Sequence, residues 1–277
     1  MHEVDKTRVQ AHFSRSLSTY REAAQVQAAM ADALMAALAE VTPRRDFTRI
    51  LELGCGDGLL SARIEEQLRY EQLTLVDIVP ACAAYHSQRR NASFLAGDME
   101  DMALPAADLV MAGAALQWAR DLPALLRRIG GAVAPDGMFA FSSFGPDNLR
   151  EIRALTGRSL AYLSMSELIT MLEMADFAVL CAREQHSVMT FSTPLAVLRH
   201  LRDTGVNGVR TERPWTRQAL RNFTERYQEQ FSLADGQLPL TYHPLWIVAQ
   251  KRRHGGGDGS DAAASGGVSP SGKESCG

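Results

Sequence analysis

Thr48-Arg49-Ile50-Leu51-Glu52-Leu53-Gly54-Cys55-Gly56-Asp57-Gly58 is the stretch whose reading decides the fold. Thr48 to Leu53 is short, rich in apolar residues and stops at a glycine, the pattern of a buried strand. Leu59 to Arg69 follows with apolar residues at 59, 60, 64 and 68, close to helical period. Between them, glycines at 54, 56 and 58 let the backbone turn sharply and approach a ligand closely, beside the N-terminus of the next helix. The spacing is GxGxG, not the GxGxxG of dinucleotide-binding folds. Phosphates call for backbone N–H groups and positive charge, whereas Glu52 and Asp57 place carboxylates where an ammonium or sulfonium group is welcome. Taken alone, the motif also fits a purely structural strand-to-helix turn.

Working outward, Leu73 to Val76 reads as a second strand closed by Asp77, and Pro80 opens a further helix. Ala92 to Ala96, Asp108 to Ala112 and Met138 to Ser142 read as strands. Leu122 to Val133 reads as an amphipathic helix closed by a Pro135-Asp136-Gly137 turn. Strands alternating with helices predict an α/β fold, a Rossmann-like, doubly wound and mostly parallel sheet with helices on both faces. Met1 to Glu40 is helical in pattern and is expected to form an N-terminal lid within residues 1–46. Late strands at Ala178 to His186 and Leu240 to Ala249 flank helical patterns around Leu195 to Arg202 and Thr216 to Phe231. This predicts an antiparallel edge hairpin carrying a helical cap inserted at about residues 191–234, in a domain spanning 47–253. The tail, residues 254–277, is rich in Gly and Ser, has no aromatic residue, and is expected to be disordered.

The 277 residues carry 29 Lys plus Arg against 32 Asp plus Glu, a net charge of −3. That balance gives no electrostatic reason to expect nucleic acid as a partner. No apolar run approaches the ~20 residues needed to cross a bilayer. Cysteines at 55, 82, 181 and 276 form no metal-like cluster, so a cytoplasmic, reducing address and no metal site are expected. Lysine occurs only at 6, 251 and 273, so arginine is the default cation and an isolated Arg says little.

Three more strand ends face the same edge of such a sheet. Asp77 is placed to accept hydrogen bonds from ribose hydroxyls. Gly97-Asp98-Met99 is placed to present Asp98 to an adenine amino group and Met99 to its ring. Ala114-Ala115-Leu116-Gln117-Trp118 follows the fourth strand. Each alone reads equally as a turn or a packed loop. Together they mark the carboxyl edge, where open α/β sheets bind ligands.

On these residues the sequence resembles the class I S-adenosylmethionine-dependent methyltransferases. Within them it is similar to the malonyl-acyl-carrier-protein O-methyltransferases that start pimelate assembly for biotin. The matching stretches are Phe13 to Ser16 with Tyr20 and Gln27, Leu51 to Gly58, Gly97 to Glu100, Leu116 to Trp118, Phe141 to Pro146, Leu198 to Asn207 and Leu240 to Tyr242. The resemblance implies methyl transfer from S-adenosyl-L-methionine to the free carboxylate of a malonyl thioester, on acyl-carrier protein or CoA. It implies cofactor contacts at Glu52, Gly54, Gly56, Gly58, Asp77, Asp98, Met99 and Gln117. It also implies a carboxylate clamp at Arg199 and a cofactor-covering role for Tyr20. Arg202, Arg210 and Arg213 are candidates for docking an acidic carrier protein. His186, His200 and His243 lack ligand-spaced partners in sequence and are expected to be structural. Methylation of another small acid or a quinone-pathway intermediate, a nicotinamide-dependent oxidoreductase, and a non-catalytic nucleoside-binding protein are the competing readings.

Overall fold

A computed structural model describes residues 5–157, 160–204 and 216–253. The tail expected to be disordered at 254–277, and residues 205–215 of the expected cap, with Arg210 and Arg213 among them, lie outside the described residues.

The run that ends at the glycine turn sits near the middle of a seven-stranded sheet. In chain order the strands are β1 (Asp46–Leu53), β2 (Arg69–Asp77), β3 (Ala92–Ala96), β4 (Ala107–Gly113), β5 (Val133–Phe144), β6 (Phe177–Glu184), β7 (Ser187–Phe191), β8 (Leu238–Tyr242) and β9 (Pro244–Lys251). The large sheet has the order β3-β2-β1-β4-β5-β9-β6, with β7 and β8 in a separate two-stranded sheet. Pairing is parallel from β3 through β5, and β9 is antiparallel to both β5 and β6. This is the Rossmann-like sheet with an antiparallel edge that the alternating pattern predicts. The strand order reverses between β1 and β4, the switch point at which such sheets open a crevice.

The helices are α1 (Lys6–Ala23), α2 (Gln25–Val41), α3 (Leu59–Gln67), α4 (Ala83–His86), α5 (Leu122–Ala132), α6 (Arg150–Thr156), α7 (Met165–Met174), α8 (Pro194–Asp203) and α9 (Arg217–Phe231). Alternation along β1 sends Leu51 and Leu53 to one face and Ile50 to the other. The first face packs on Leu125, Leu126 and Ile129 of α5 and Leu168 and Leu172 of α7. The second packs on Leu34, Met35 and Leu38 of α2 and Leu60 and Ile64 of α3. Local signals set the helix starts. Asp121 caps α5 through the Ala124 N–H, Ser164 and Glu167 form a reciprocal capping box on α7, and Thr193 and Thr216 cap α8 and α9. A third apolar cluster joins α6, α8 and α9 to β8 through Ile152, Val197, Leu201, Phe223, Tyr227 and Leu240.

Three features depart from the sequence reading. The helical N-terminus divides at Ala24: α2 buries its apolar face on the sheet and reaches the crevice only through Gln27 and Ala31, while α1 lies over it. The expected last strand is two strands interrupted at His243, the first of which pairs with the unanticipated β7. Leu240, Tyr242, Leu245 and Ile247 are all buried, so the apolar run gives no sign of the change of sheet. Pro135 to Gly137 lies within β5, with Asp136 at φ 61° accommodating the bend. No described helix is long and apolar enough to cross a membrane.

Candidate active site

The carboxyl ends of β1, β2, β3 and β4 converge on a cleft of about 1020 Å³, counted to its open mouth. Its floor is the glycine turn. Gly54 adopts φ 71° and Gly56 φ 50°, conformations that a side chain disfavours. The Gly54 and Cys55 N–H groups donate to the Val76 carbonyl at 2.8 and 3.1 Å, tying the turn to the end of β2. Asp77, at that end, accepts the Gly56 N–H through Oδ2 and the Val79 N–H through Oδ1, each at 2.8 Å. The Cys82 thiol is a third donor to this carboxylate. Burial pushes the Asp77 pKa up, against the lowering effect of those two N–H groups.

Glu52 is 1% exposed, and its Oε2 accepts the Ser61 hydroxyl at 2.6 Å. Burial pushes its pKa up to about 8, opposed by the Ser61 bond and the Arg89 charge and reinforced by Asp77 and Asp57. Glu52, Asp57, Asp77 and Asp98 all line the cleft, and Lys6 is the one Lys or Arg among the described lining residues. Lys6, from the first turn of α1, is already committed: its Nζ lies 3.1 Å from Asp98 Oδ1 and 2.6 Å from Glu100 Oε2. Burial of Glu100 is outweighed by Lys6 and by the Arg120 and Asp121 N–H groups, so its pKa falls. The acidic lining therefore suits a cationic ligand with polar hydroxyls, and a cavity of these dimensions has room for a nucleoside.

The roof is α1, which contributes Lys6, Val9, Phe13, Leu17 and Tyr20 to the lining. It is pinned by Lys6, by Gln10 Nε2 donating 2.9 Å to the Ile78 carbonyl, and by edge-to-face packing of Phe13 on Trp118 with centroids 5.5 Å apart. Burial, then Asp57 and Asp77, push the Tyr20 phenol far above its ordinary pKa, so it remains a protonated donor.

Glu52, Gly54, Gly56, Asp77, Asp98, Met99 and Tyr20 thus meet in one cleft. Three further candidates are not among its lining residues. Gly58, at φ 89°, serves packing, since a β-carbon there would meet the Arg89 guanidinium and the His86 ring. Gln117 Nε2 donates 2.6 Å to the Ala114 carbonyl, and Ser143 Oγ donates 3.4 Å to Gln117 Oε1. Arg199 is exposed on α8. The candidate set omitted Lys6, Gln27, Ile78 and Trp118, all lining residues. Scarcity of lysine was the available signal for Lys6; nothing in sequence distinguished the packing of Trp118 from an exposed role.

A second group of polar side chains lies beyond β5. Asp147, His186 and His243 offer ligand atoms within 4.8 Å of one another, although the chain separates them widely. They are mutually engaged: His186 Nε2 lies 3.0 Å from Asp147 Oδ2, the two rings stack at 4.0 Å, and the Asp147 N–H donates 3.3 Å to His243 Nδ1. His200 Nε2 bonds to the Tyr242 hydroxyl at 2.7 Å.

The methyltransferase domain family matches residues 21–183. The malonyl-[acyl-carrier protein] O-methyltransferase of Porphyromonas gingivalis is 38% identical over 252 residues, covering 90% of this chain and 98% of its own. That of Chlorobium luteolum is 39% identical over 259 residues, 91% of this chain and 97% of its own. Among solved structures, YcgJ of Bacillus subtilis superposes with a TM-score of 0.55 at 15% identity, covering 80% of this chain and 99% of that one. The chain belongs to the malonyl-[acyl-carrier protein] O-methyltransferase family, built on a methyltransferase domain.

Proposed function

We propose that this chain methylates the free carboxylate of a malonyl thioester, carried on acyl-carrier protein or CoA, using S-adenosyl-L-methionine. This would be the step that opens pimeloyl assembly in biotin synthesis. The observation that carries the reading is the acidity of the cleft: Asp57, Asp77 and Asp98, with a buried Glu52 that a bound cation draws toward its ionised form, face a ligand space whose single lysine is already paired.

When bound, the cofactor supplies a sulfonium methyl: the carboxylate oxygen bonds to the methyl carbon as the S–CH3 bond breaks, its electron pair passing to sulfur. No proton moves, because a carboxylate is ionised at neutral pH. The protein then has only to bind, align and exclude water. Asp77 is placed to accept from ribose hydroxyls and Asp98 from an adenine amino group, with Met99 against the ring. Glu52, with the Gly54 and Gly56 turn, faces the amino-acid end and favours its ammonium group. Cleft closure by α1, with Phe13, Leu17 and Tyr20 inside, excludes water. Fixing two reactants in line in this way contributes about 7–11 kcal/mol to the barrier reduction. Arg199 lies on the cap, on an exposed face of α8 outside the lining. Its role on this placement is to draw the anionic substrate toward the cleft. Arg202, whose side chain is also exposed on α8, fits the docking of an acidic carrier protein.

The test is incubation with methyl-labelled cofactor and malonyl, acetyl and longer dicarboxyl carrier thioesters, read by mass spectrometry of the carrier-bound acyl group. Label on malonyl as an ester, and none on acetyl, is expected. Label on a quinone-pathway or other small acid in place of malonyl would transfer the reading to that substrate.

A further inference from the structure

Trp118 closes the short 3-10 turn Leu116–Trp118 that follows β4, and its side chain lines the cleft. Its Nε1–H is the one buried side-chain polar atom among the described residues that has no hydrogen-bond partner. Buried donors in native structures are almost always satisfied, and an exception at a ligand cavity points to an acceptor on the ligand. The ring cannot readily turn away to find one elsewhere. Leu116 anchors the turn in the core at 2% exposure, the Trp118 N–H donates 3.1 Å to the Ala115 carbonyl, and Phe13 packs edge-on against the indole.

The rest of the cleft indicates which acceptor. Its carboxylates match the cationic and hydroxyl-bearing parts of the methyl donor and repel an anion. Lys6 is bound to Asp98 and Glu100, and Arg199 is not a lining residue. Among the described lining residues an acyl substrate ending in a carboxylate therefore finds neutral donors, the Tyr20 hydroxyl, the Gln27 amide and the Trp118 indole, and Trp118 is the one whose donor is buried without a partner. We propose that Trp118 Nε1–H donates to the oxygen of the substrate carboxylate that does not attack the methyl group, and so selects acyl chains that end in a carboxylate. The assignment rests on the carboxyl-methylation reading above. A neutral donor also suits that chemistry. It orients the group while withdrawing less charge from the attacking oxygen than a bidentate guanidinium would.

The direct test is replacement of Trp118 by benzothienylalanine, which keeps the shape of the bicyclic ring and puts sulfur where the N–H was. Trp118→Phe serves as a second, encodable variant. A hydrogen bond to a charged acceptor, held alike in ground and transition states, corresponds to a rise of about tenfold to a hundredfold in KM for malonyl thioester. Turnover number stays near that of the parent chain, and affinity for S-adenosylhomocysteine stays within about twofold, which also reports intact folding. Unchanged KM in the isosteric variant would overturn the assignment, as would a loss confined to cofactor affinity. A parent chain with no activity on any carboxyl-ended thioester would overturn the methylation reading itself, an outcome separable from the first two.

Discussion

Alanine at Gly54 and at Gly56 makes a matched pair, because both glycines hold left-handed backbone and differ in what a new β-carbon would meet. At Gly56, φ 50°, nothing lies within 4 Å of it. Only the conformational cost applies, about 1–2 kcal/mol for an L residue, partly offset by the lost freedom of the unfolded chain. At Gly54, φ 71°, the β-carbon would fall on Ala115 Cβ, closer than the 3.0 Å that real carbons respect, with the Ala115 backbone 3.8 Å away. Ala115 is 8% exposed and begins the turn that carries Trp118, so it cannot retreat without moving that turn. Overpacking of this kind adds about 1–3 kcal/mol. Net destabilisation is then about 1 kcal/mol for Gly56→Ala and about 3 kcal/mol for Gly54→Ala. For a chain of this size those losses lower the melting temperature by roughly 2–4 °C and roughly 6–12 °C. Calorimetry of the ligand-free variants measures both. Equal melting temperatures would refute the close approach of β1 and β4 on which the cleft floor depends.

Three further outcomes follow from the same geometry. Lys6→Met removes the strap between α1 and the Asp98 and Glu100 carboxylates, a partly buried pair worth about 1 kcal/mol. Stopped-flow release of S-adenosylhomocysteine should quicken about fivefold, and an unchanged rate would show that α1 is held by other contacts. Glu52 is protonated in the folded, ligand-free chain up to about pH 8 but ionises near 4.5 when unfolded. The folded state therefore holds the extra proton between those values, and stability falls as pH rises through that window. Glu52→Gln should flatten the decline in a melting series; an equal slope in both proteins would acquit Glu52. Arg199→Ala, from its exposed position, should lower kcat/KM for malonyl carrier protein by less than about tenfold, in a way that added salt diminishes. A loss beyond about a hundredfold, indifferent to salt, would instead make Arg199 the carboxylate clamp.

The sheet was legible because its cues are local. Short apolar runs ending in Gly or Asp gave β1 and β2, and helical spacing gave α3 and α5. What escaped the sequence depended on distant partners. The change of sheet at His243 lies inside a uniformly buried run, and β7 pairs only with a strand some fifty residues later. Among site residues, those at strand ends could be read, since topology alone brings Glu52, Asp77 and Asp98 together. Gly58, Gln117 and Arg199 each matched a motif, yet where they sit depends on the Arg89 and His86 side chains packed on the Gly58 backbone, on a bond back to Ala114 and on the placement of α8. Lys6 and Trp118 gain their meaning from ion pairs and an unpaired donor that no spacing encodes.

The most direct measurement is a crystal structure of the chain with S-adenosylhomocysteine and a malonyl thioester bound together. The account predicts the nucleoside between Asp77 and Asp98, the sulfur beside the Gly54 to Gly56 turn, and the malonyl carboxylate within hydrogen-bond reach of Trp118 under α1. A nucleoside seated elsewhere, or a carboxylate held outside the cleft by arginines of the cap, would contradict it.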